Sequence, residues 1–347
     1  MSRAALMRNR SVKVDLVAEQ GLAWIKVIAR NAKALRHDMA GLEFGEDSDN
    51  EGGLVYDDDD KEEEDDDGEL TAEDAFDQLP IFKKARDYLR SAEAHQVHFR
   101  APRVVFAFKR LHPKETENVN QILDRLRDMG IVVYIQGRGT LLDAYGGPLA
   151  PEQGCLSTQK VNLDVSTVLA LISEMSHHPC RPDQVEGEAL QLQAEREATS
   201  AVLPVLHGLL HDKSLFMVQT AYDRLTKIVQ VVGGDREKMR FRYLFERQGD
   251  SHGLEKYHIS VVPDAPSERF RRLLEPPPQK EKLNNGRKIR SRFSEFHAVI
   301  FGTGDTNRMT TVTAIQWMQT ALTDAGLTGV AILCHEPRSL SEQKMTV

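Results

Sequence analysis

The chain has 347 residues, of which 40% are hydrophobic and 28% charged, values typical of globular proteins long enough for two domains. No run of about 18 apolar residues occurs, which argues against a membrane-spanning helix and predicts no membrane partner. The three cysteines have no CxxC spacing, which argues against a disulfide framework and predicts a reducing compartment, the cytosol or the nucleus.

The net charge of −8 is unevenly distributed along the chain. Seventeen acidic residues and one lysine lie between Glu46 and Asp74, so the remainder of the chain is basic. Blocks of like charge are typical of disorder, and we expect a disordered acidic insert over residues 46–74. The insert could be a tolerated solubilising loop, a segment that binds a protein partner, or a competitor of a phosphate backbone for the basic surface.

The first half predicts a small α/β domain over residues 11–136, interrupted by the insert. Val12–Ala18 alternates apolar and polar residues, and Leu22–Ala29 follows a short break that ends in glycine, which predicts a β-hairpin. A helix is expected next, at Arg30–Arg36. After the insert we expect a helix, a strand, a helix and a strand at Phe76–His95, Arg103–Phe108, Glu115–Met129 and Ile131–Ile135.

A linker rich in Gly and Pro, residues 137–158, precedes a second domain over residues 159–347. Strands and helices alternate in this domain, which predicts an α/β fold with a mainly parallel sheet sandwiched by helices. The expected strands are Val161–Asp164, Leu215–Val218, Tyr257–Val262, His297–Phe301 and Gly329–Cys334. The expected helices are Val165–Met175, Glu186–Leu210, Thr220–Val232, Pro266–Leu274 and Met309–Ala325, with a basic loop at Pro276–Arg292.

Acidic residues follow the predicted strands of the second domain. Asp164 ends VNLD, and Asp305 follows two glycines after the run HAVIF. Because parallel α/β sheets bind ligands outside the carboxyl ends of their strands, we expect Asp164 and Asp305 to share one acidic pocket. Asp223, Asp264 and Glu268 are further candidates for catalysis. Asp223 could instead lie on a solvated helix face, and Asp264 and Glu268 could cap a helix.

Several converging carboxylates without converging histidines favour Mg²⁺ or Mn²⁺ over zinc. Two such ions can activate water and stabilise the leaving oxygen when a phosphodiester is hydrolysed. The metal ligands expected on this hypothesis are Asp164 and Asp305. The adjacent histidines His177 and His178 point in different directions on any regular element, so they do not predict a zinc site.

Residues that could hold a phosphate lie near these acids in the sequence. Hydroxyl groups are offered by Thr303, Thr306 and Ser166, and the glycines of GTGD could serve either a tight turn or a phosphate-binding backbone. Residues 269–292 contain nine Lys or Arg against two Glu. This stretch could be an ordinary solvated loop or could bind the backbone of RNA, through residues such as Arg269, Arg272 and Lys288.

The second domain resembles the PIN-domain nucleases, in which a first strand ends in Asp followed by Ser or Thr and a later strand ends in a Thr-x-Asp element. Leu163–Thr167 and Thr303–Asp305 carry this resemblance. With Val261–Arg269, they also resemble a eukaryotic family of uncharacterised proteins with PIN-like C-terminal halves, whose human member is named as an open reading frame on chromosome 7. The resemblance implies metal-dependent RNA cleavage. The resemblance also implies an acidic residue early in the helix after the second strand, the region that contains Asp223 and Arg224 in this chain.

The first domain invites a comparison with restriction-endonuclease-like folds, because Asp15 and Lys26 stand on neighbouring strands of the predicted hairpin. Those folds place an acid two residues before the lysine, where this chain has Trp24, so we expect binding rather than cleavage there. For the whole chain we expect a Mg²⁺- or Mn²⁺-dependent ribonuclease. The alternatives are an inactive PIN-like module that binds RNA and a protein-interaction adaptor.

Overall fold

The computed structural model describes residues 12–39, 76–112, 115–150, 156–251, 253–275 and 293–346. The acidic insert, the basic loop at 276–292 and Lys288 within it lie outside the described residues. The chain divides into two compact units. The N-terminal unit comprises residues 1–95 and 101–150, and the C-terminal unit comprises residues 96–100 and 151–347. No described helix is both long and apolar enough to cross a membrane.

The N-terminal unit contains a four-stranded sheet in the order β1-β2-β3-β4, in which β1 is antiparallel to β2 and the other strands are parallel. The predicted hairpin is therefore confirmed. Successive side chains of β3 point to opposite faces of the sheet and contribute to two hydrophobic cores. Phe106 belongs to the larger core, which also contains residues of the two long helices, and Val105 belongs to the smaller one. The elements are β1 Leu16–Ala18, β2 Ala23–Asn31, α1 Ala32–Met39, α2 Pro80–Ala94, β3 Arg103–Arg110, α3 Glu117–Asp128, β4 Val132–Ile135 and α4 Leu141–Ala144.

The C-terminal unit contains a five-stranded sheet, all parallel, in the order β7-β6-β5-β8-β9. Both faces are covered, since neighbouring residues Val161 and Asn162 of β5 are each fully buried although they point to opposite faces. The strands are β5 Lys160–Leu163, β6 Ser214–Val218, β7 Ile259–Val262, β8 Thr310–Thr313 and β9 Ile332–Cys334. The helices are α5 Val165–Ile172, α6 Glu174–His177, α7 Glu188–Thr199, α8 Val202–Leu210, α9 Gln219–Val232, α10 Asp235–Glu246, α11 Glu268–Arg271, α12 Glu295–Thr306 and α13 Trp317–Asp324.

The direction of strand addition changes beside β5. The chain adds β6 and then β7 on one side of β5, and adds β8 and then β9 on the other. The crevice between β5 and β8 is therefore the switch point at which open parallel sheets bind ligands. We call the side of the sheet where its strands end the carboxyl edge, and the side where they begin the amino edge.

The segment His297–Phe301 is helical, and the prediction of a strand there is wrong. It belongs to α12, which begins after Ser294, where the hydroxyl and backbone N–H contact the His297 ring. The strand of this region is β8, which the sequence predicted as the start of a helix. A strand was predicted here from a run of apolar residues, but a buried helix and a buried strand are both apolar on all sides, so such a run does not distinguish them.

The glycines of this stretch are explained by close packing of α12. A Cβ on Gly302 would lie 3.0 Å from Phe270 and 3.1 Å from Pro266, and a Cβ on Gly304 would lie 2.5 Å from the Thr311 hydroxyl. Neither glycine has a positive φ. The two interpretations proposed from the sequence, a tight turn and a phosphate-binding backbone, are therefore both replaced by a helix that crosses close to the sheet.

Other elements differ from the predictions at their boundaries. The helix predicted at Val165–Met175 breaks at Ser173 into α5 and α6, and the long charged helix breaks between α7 and α8. Helix α10 was not predicted at all. It follows the Gly-Gly pair at which α9 was predicted to end. A charged segment without a clear apolar stripe gives a weak helical signal.

Candidate functional site at the carboxyl edge

Asp164 follows β5 at the carboxyl edge and caps helix α5. Its carboxylate accepts hydrogen bonds from the backbone N–H groups of Ser166 and Thr167, and from the hydroxyl of Thr313 at the end of β8. Only 3% of the residue is exposed. The carboxylate therefore ties the two strands that flank the switch point, and three donors of the protein already occupy it.

Asp305 lies near the opposite edge. It is in the last turn of α12, which leads into β8 at its amino end. The side chain of Arg269 contacts both carboxylate oxygens of Asp305, and the hydroxyl of Ser267 donates a third hydrogen bond at 2.6 Å. Arg269 also donates to the carbonyl of Thr328, in the segment that precedes β9. Asp305 thus fastens α11 to the end of α12.

Helix α12 itself separates the two acids. Its first turn contains His297, and the nearby charge of Asp164 acts to raise the pKa of that imidazole, against the larger effect of burial. Its last turn contains Asp305. Eight residues of α-helix rise about 12 Å between these two positions. Asp164 and Asp305 therefore do not form the shared acidic pocket that the sequence suggested.

The other predicted acids have their own partners. Asp264 accepts hydrogen bonds from the backbone and the hydroxyl of Thr220, so it caps the start of α9. Asp223, in the next turn of α9, is exposed and accepts a bond of 2.8 Å from Gln219. Glu268 is exposed on α11 and pairs with Arg272, one turn later.

The residues predicted to bind phosphate are also dispersed. The hydroxyl of Ser166 accepts a hydrogen bond of 2.8 Å from the N–H of Ala314, so it links α5 to the segment after β8. The hydroxyl of Thr303 is buried and accepts from the N–H of Ala265, whereas Thr306 is exposed. Arg269 is committed to Asp305, as described above. Among the members of this set that the structure describes, only Ser166 lies beside the switch point.

The expected pair of Mg²⁺ or Mn²⁺ ions does not fit this arrangement. Two catalytic ions stand about 3.5–4 Å apart and share ligands, whereas Asp164 and Asp305 belong to opposite edges of the sheet. Each carboxylate is also engaged by donors of the protein. Within the described part of the chain, no group of three or more His, Cys, Asp or Glu is placed to hold a metal ion.

A cleft of about 960 Å³ opens at the carboxyl edge next to the switch point. It lies between the end of α7, residues 314–317 after β8 and residues 336–338 after β9. Arg196 and Trp317 stand among its walls, and Arg196 approaches Glu336 at 3.5 Å. A smaller cleft of about 220 Å³ adjoins it and reaches Cys334 and His335. None of these residues was predicted to belong to a site, although Arg196 lies in the last turn of α7, Trp317 begins α13, and Cys334 and His335 lie at the end of β9.

Aromatic and basic side chains continue along the same edge on the other side of β8. The guanidinium group of Arg224 lies 4.4 Å from the ring centre of Phe296. The ring of His297 meets Trp317 edge-on, with 5.8 Å between their centres. Burial lowers the pKa of His297, and Arg224 lowers it further although Asp164 raises it, so the imidazole is neutral at pH 7. We call these residues and the cleft the carboxyl-edge surface.

The wall of the cleft after β9 is held by buried charges. Arg338 pairs with Glu197 of α7 at 2.5 Å, with both side chains fully buried. Further along the C-terminal segment, the carboxylate of Glu237 accepts the backbone N–H groups of Ser341 and Glu342. These bonds fix residues 336–342 against the helices, which makes the cleft a preformed feature of the fold.

The comparisons with known proteins concern the same part of the chain. A family model described as "Protein of unknown function (DUF1308)" matches residues 161–347. No solved protein structure matches the chain. Because the family match covers more than half of its residues, the chain belongs to the DUF1308 family of proteins of unknown function.

Proposed function

We propose that the C-terminal unit binds single-stranded RNA along the carboxyl-edge surface. The observation that carries the proposal is the cleft next to the switch point, which combines an aromatic wall at Trp317 with an exposed cation at Arg196. Its volume of about 960 Å³ is at the upper end of the range typical of ligand sites, so it could hold a nucleotide unit. Open parallel sheets bind ligands at this position.

The chemistry of the surface suits an unpaired strand. Splayed bases stack on aromatic side chains and phosphates pair with arginine, and both kinds of group are present here. Trp317 is half-buried, so part of its ring is available for stacking. Arg196 and Arg224 are exposed and lie at either end of the surface, where they would contact phosphates. The neutral imidazole of His297 adds no charge between them.

The test is the affinity of the full chain for a fluorescently labelled single-stranded RNA, measured by anisotropy. Replacing Trp317 by Leu should weaken binding about fivefold or more, since stacking on one base contributes about 1–3 kcal/mol. Arg196→Gln should weaken binding and reduce the slope of log K against log salt by about 0.7, the value for one phosphate of a single strand.

Arg181→Gln is the matched control, because Arg181 is also exposed and also pairs with a neighbouring acid, yet it does not line the cleft. Its affinity and salt slope should equal those of the unaltered chain. If Arg196→Gln and Trp317→Leu bind RNA as tightly as Arg181→Gln, the carboxyl-edge surface is not the RNA site.

Cleavage of RNA is a second candidate function, and the PIN-like relationship that suggested it stays a prediction. What favours it is the position of Asp164 next to the switch point. The same RNA is incubated with the unaltered chain, Asp164→Asn and Asp305→Asn in the presence of Mn²⁺. A ribonuclease centred on Asp164 alone would lose activity in Asp164→Asn and retain it in Asp305→Asn, whereas equal cleavage by all three chains would indicate a contaminant.

A further inference from the structure

A cluster of cations surrounds Asp15 in the N-terminal unit. The ammonium group of Lys26 lies 3.0 Å from the carboxylate of Asp15, which also accepts the N–H of Val27 at 2.8 Å. Both side chains are partly exposed, 19% for Lys26 and 27% for Asp15. Burial raises the pKa of the Asp15 carboxyl group, but the hydrogen bonds from Val27 and Lys26 and the charges of Lys26 and Lys13 together lower it below its ordinary value. The carboxylate therefore holds Lys26 in a fixed position on the sheet.

Helix α2 brings Lys84 to the same place. Lys84 precedes Tyr88 by one turn, so the two side chains share a face of the helix. The ring of Tyr88 packs edge-on against Phe106, the strand partner of Lys26, and its hydroxyl donates to the carbonyl of Lys13. The Tyr88 contacts therefore place Lys84 over the residues that precede β1 and over the middle of β2.

The positive charges of this cluster exceed the negative ones. Arg30, further along β2, pairs with Asp38 of α1, and Lys26 pairs with Asp15. Lys84 is exposed, and among the described residues no acid pairs with it. Partial desolvation lowers the pKa of Lys84, and repulsion from Lys26 and Arg30 lowers it further, against the attraction of Asp15. An added anion would relieve this repulsion.

We propose that Lys26, Arg30 and Lys84 form a second RNA contact, on the N-terminal unit, which binds a phosphate group. Two of the cations are held in place by carboxylates, and the third is available to the ligand. Phosphate contacts of this kind position a strand without reading its sequence. The proposal rests on the proposed function only for the class of ligand, because its residues belong to the other unit of the chain.

Two measurements on the full chain test the proposal, with Lys83 as the matched control. Lys83 is the preceding residue of α2, is also exposed, and points about 100° away around the helix. Lys84→Gln should weaken RNA binding about threefold and reduce the salt slope by about 0.7, whereas Lys83→Gln should leave both unchanged.

The second measurement requires no RNA. Sodium tripolyphosphate should protect Lys84 and Lys26 from acylation by an amine-reactive reagent, as read by mass spectrometry of the digested chain. Lys83 and the exposed Lys256 of the other unit should be acylated equally with and without tripolyphosphate. Equal protection of Lys83 and Lys84 would overturn the anion site.

The outcomes separate this inference from the function proposed for the carboxyl edge. If Arg196→Gln weakens RNA binding and Lys84→Gln does not, the second contact is wrong and the cleft remains. If Lys84 is protected by tripolyphosphate but both substitutions leave RNA binding unchanged, the anion site exists and RNA is not its ligand, which overturns the proposal as stated.

Discussion

The two edges of the C-terminal sheet use carboxylates that look alike in the sequence in different ways. Asp164 and Asp305 each follow an apolar run and precede a threonine or serine by one or two residues. At the carboxyl edge, Asp164 follows a strand and accepts the N–H groups at the start of a helix. Near the amino edge, Asp305 ends a helix and binds the guanidinium group of Arg269. The element before a carboxylate therefore decides what it can bind.

The largest effect that distinguishes the edges should come from Asp164→Ala. The change removes the cap of α5, which contributes about 1 kcal/mol, and leaves buried donors without an acceptor, which costs about 1–3 kcal/mol more. We expect the free energy of unfolding of the C-terminal unit to fall by about 3 kcal/mol. Urea unfolding followed by Trp317 fluorescence measures it, in a Trp24→Phe background that removes the tryptophan of the other unit.

Asp223→Ala is the control for this measurement, because Asp223 is exposed and accepts a single bond from Gln219. Its unfolding free energy should stay within about 0.5 kcal/mol of the parent chain. Equal effects of Asp164→Ala and Asp223→Ala would show that the Asp164 bonds do not stabilise the carboxyl edge.

Local sequence patterns predicted the parts of the fold whose partners lie nearby in the chain. The hairpin of the N-terminal unit follows from alternation and a glycine, and α3 follows from apolar residues at helical spacing. Asp164 was also placed correctly after β5, since a short apolar run leads directly into a capped helix. In each case the pattern and the structure it specifies occupy the same few residues.

The remaining features depend on partners far away in the sequence. Gly302 is required by its close contacts with Pro266 and Phe270, more than 30 residues earlier, so its presence in an apolar run gave no sign of a helix. Glu237 accepts backbone N–H groups at Glu174 and at Ser341, more than 60 residues before it and more than 100 after it. The cleft likewise joins the end of α7 to segments after β8 and β9. No local pattern can specify such contacts.

The amino edge should contribute to the pH dependence of the free energy of unfolding, an effect smaller than that of Asp164→Ala. His98 lies in the C-terminal unit, and its Nδ1 contacts the hydroxyl of Thr310 at the start of β8 at 2.9 Å. Burial lowers the pKa of His98 to about 4. Between about pH 6.5 and pH 4 the unfolded chain therefore binds a proton that the folded chain does not, and stability falls as the pH decreases, by up to about 1.4 kcal/mol per pH unit.

His98→Asn should remove this part of the acid sensitivity. Asparagine tolerates the positive φ of 45° at this position and can still bond to Thr310. Between pH 7 and pH 5 we expect the variant to lose about 1–2 kcal/mol less stability than the parent chain. His177, whose pKa burial also lowers to about 4, is present in both proteins and contributes equally. An unchanged pH dependence would contradict the burial of His98.

The smallest expected effect tests the separation of the edges directly. Side chains more than about 7–10 Å apart without shared partners have additive effects on stability, within about 0.3–0.5 kcal/mol. In a double-mutant cycle, Asp164→Ala and Asp305→Ala should therefore be additive. Asp305→Ala and Arg269→Ala should be coupled by about 1 kcal/mol, since the Asp305 side chain is only 9% exposed, although the 39% exposure of Arg269 weakens the pair. Strong coupling between Asp164 and Asp305 would place both carboxylates in one site. The metal-dependent ribonuclease would then be favoured over RNA binding without cleavage.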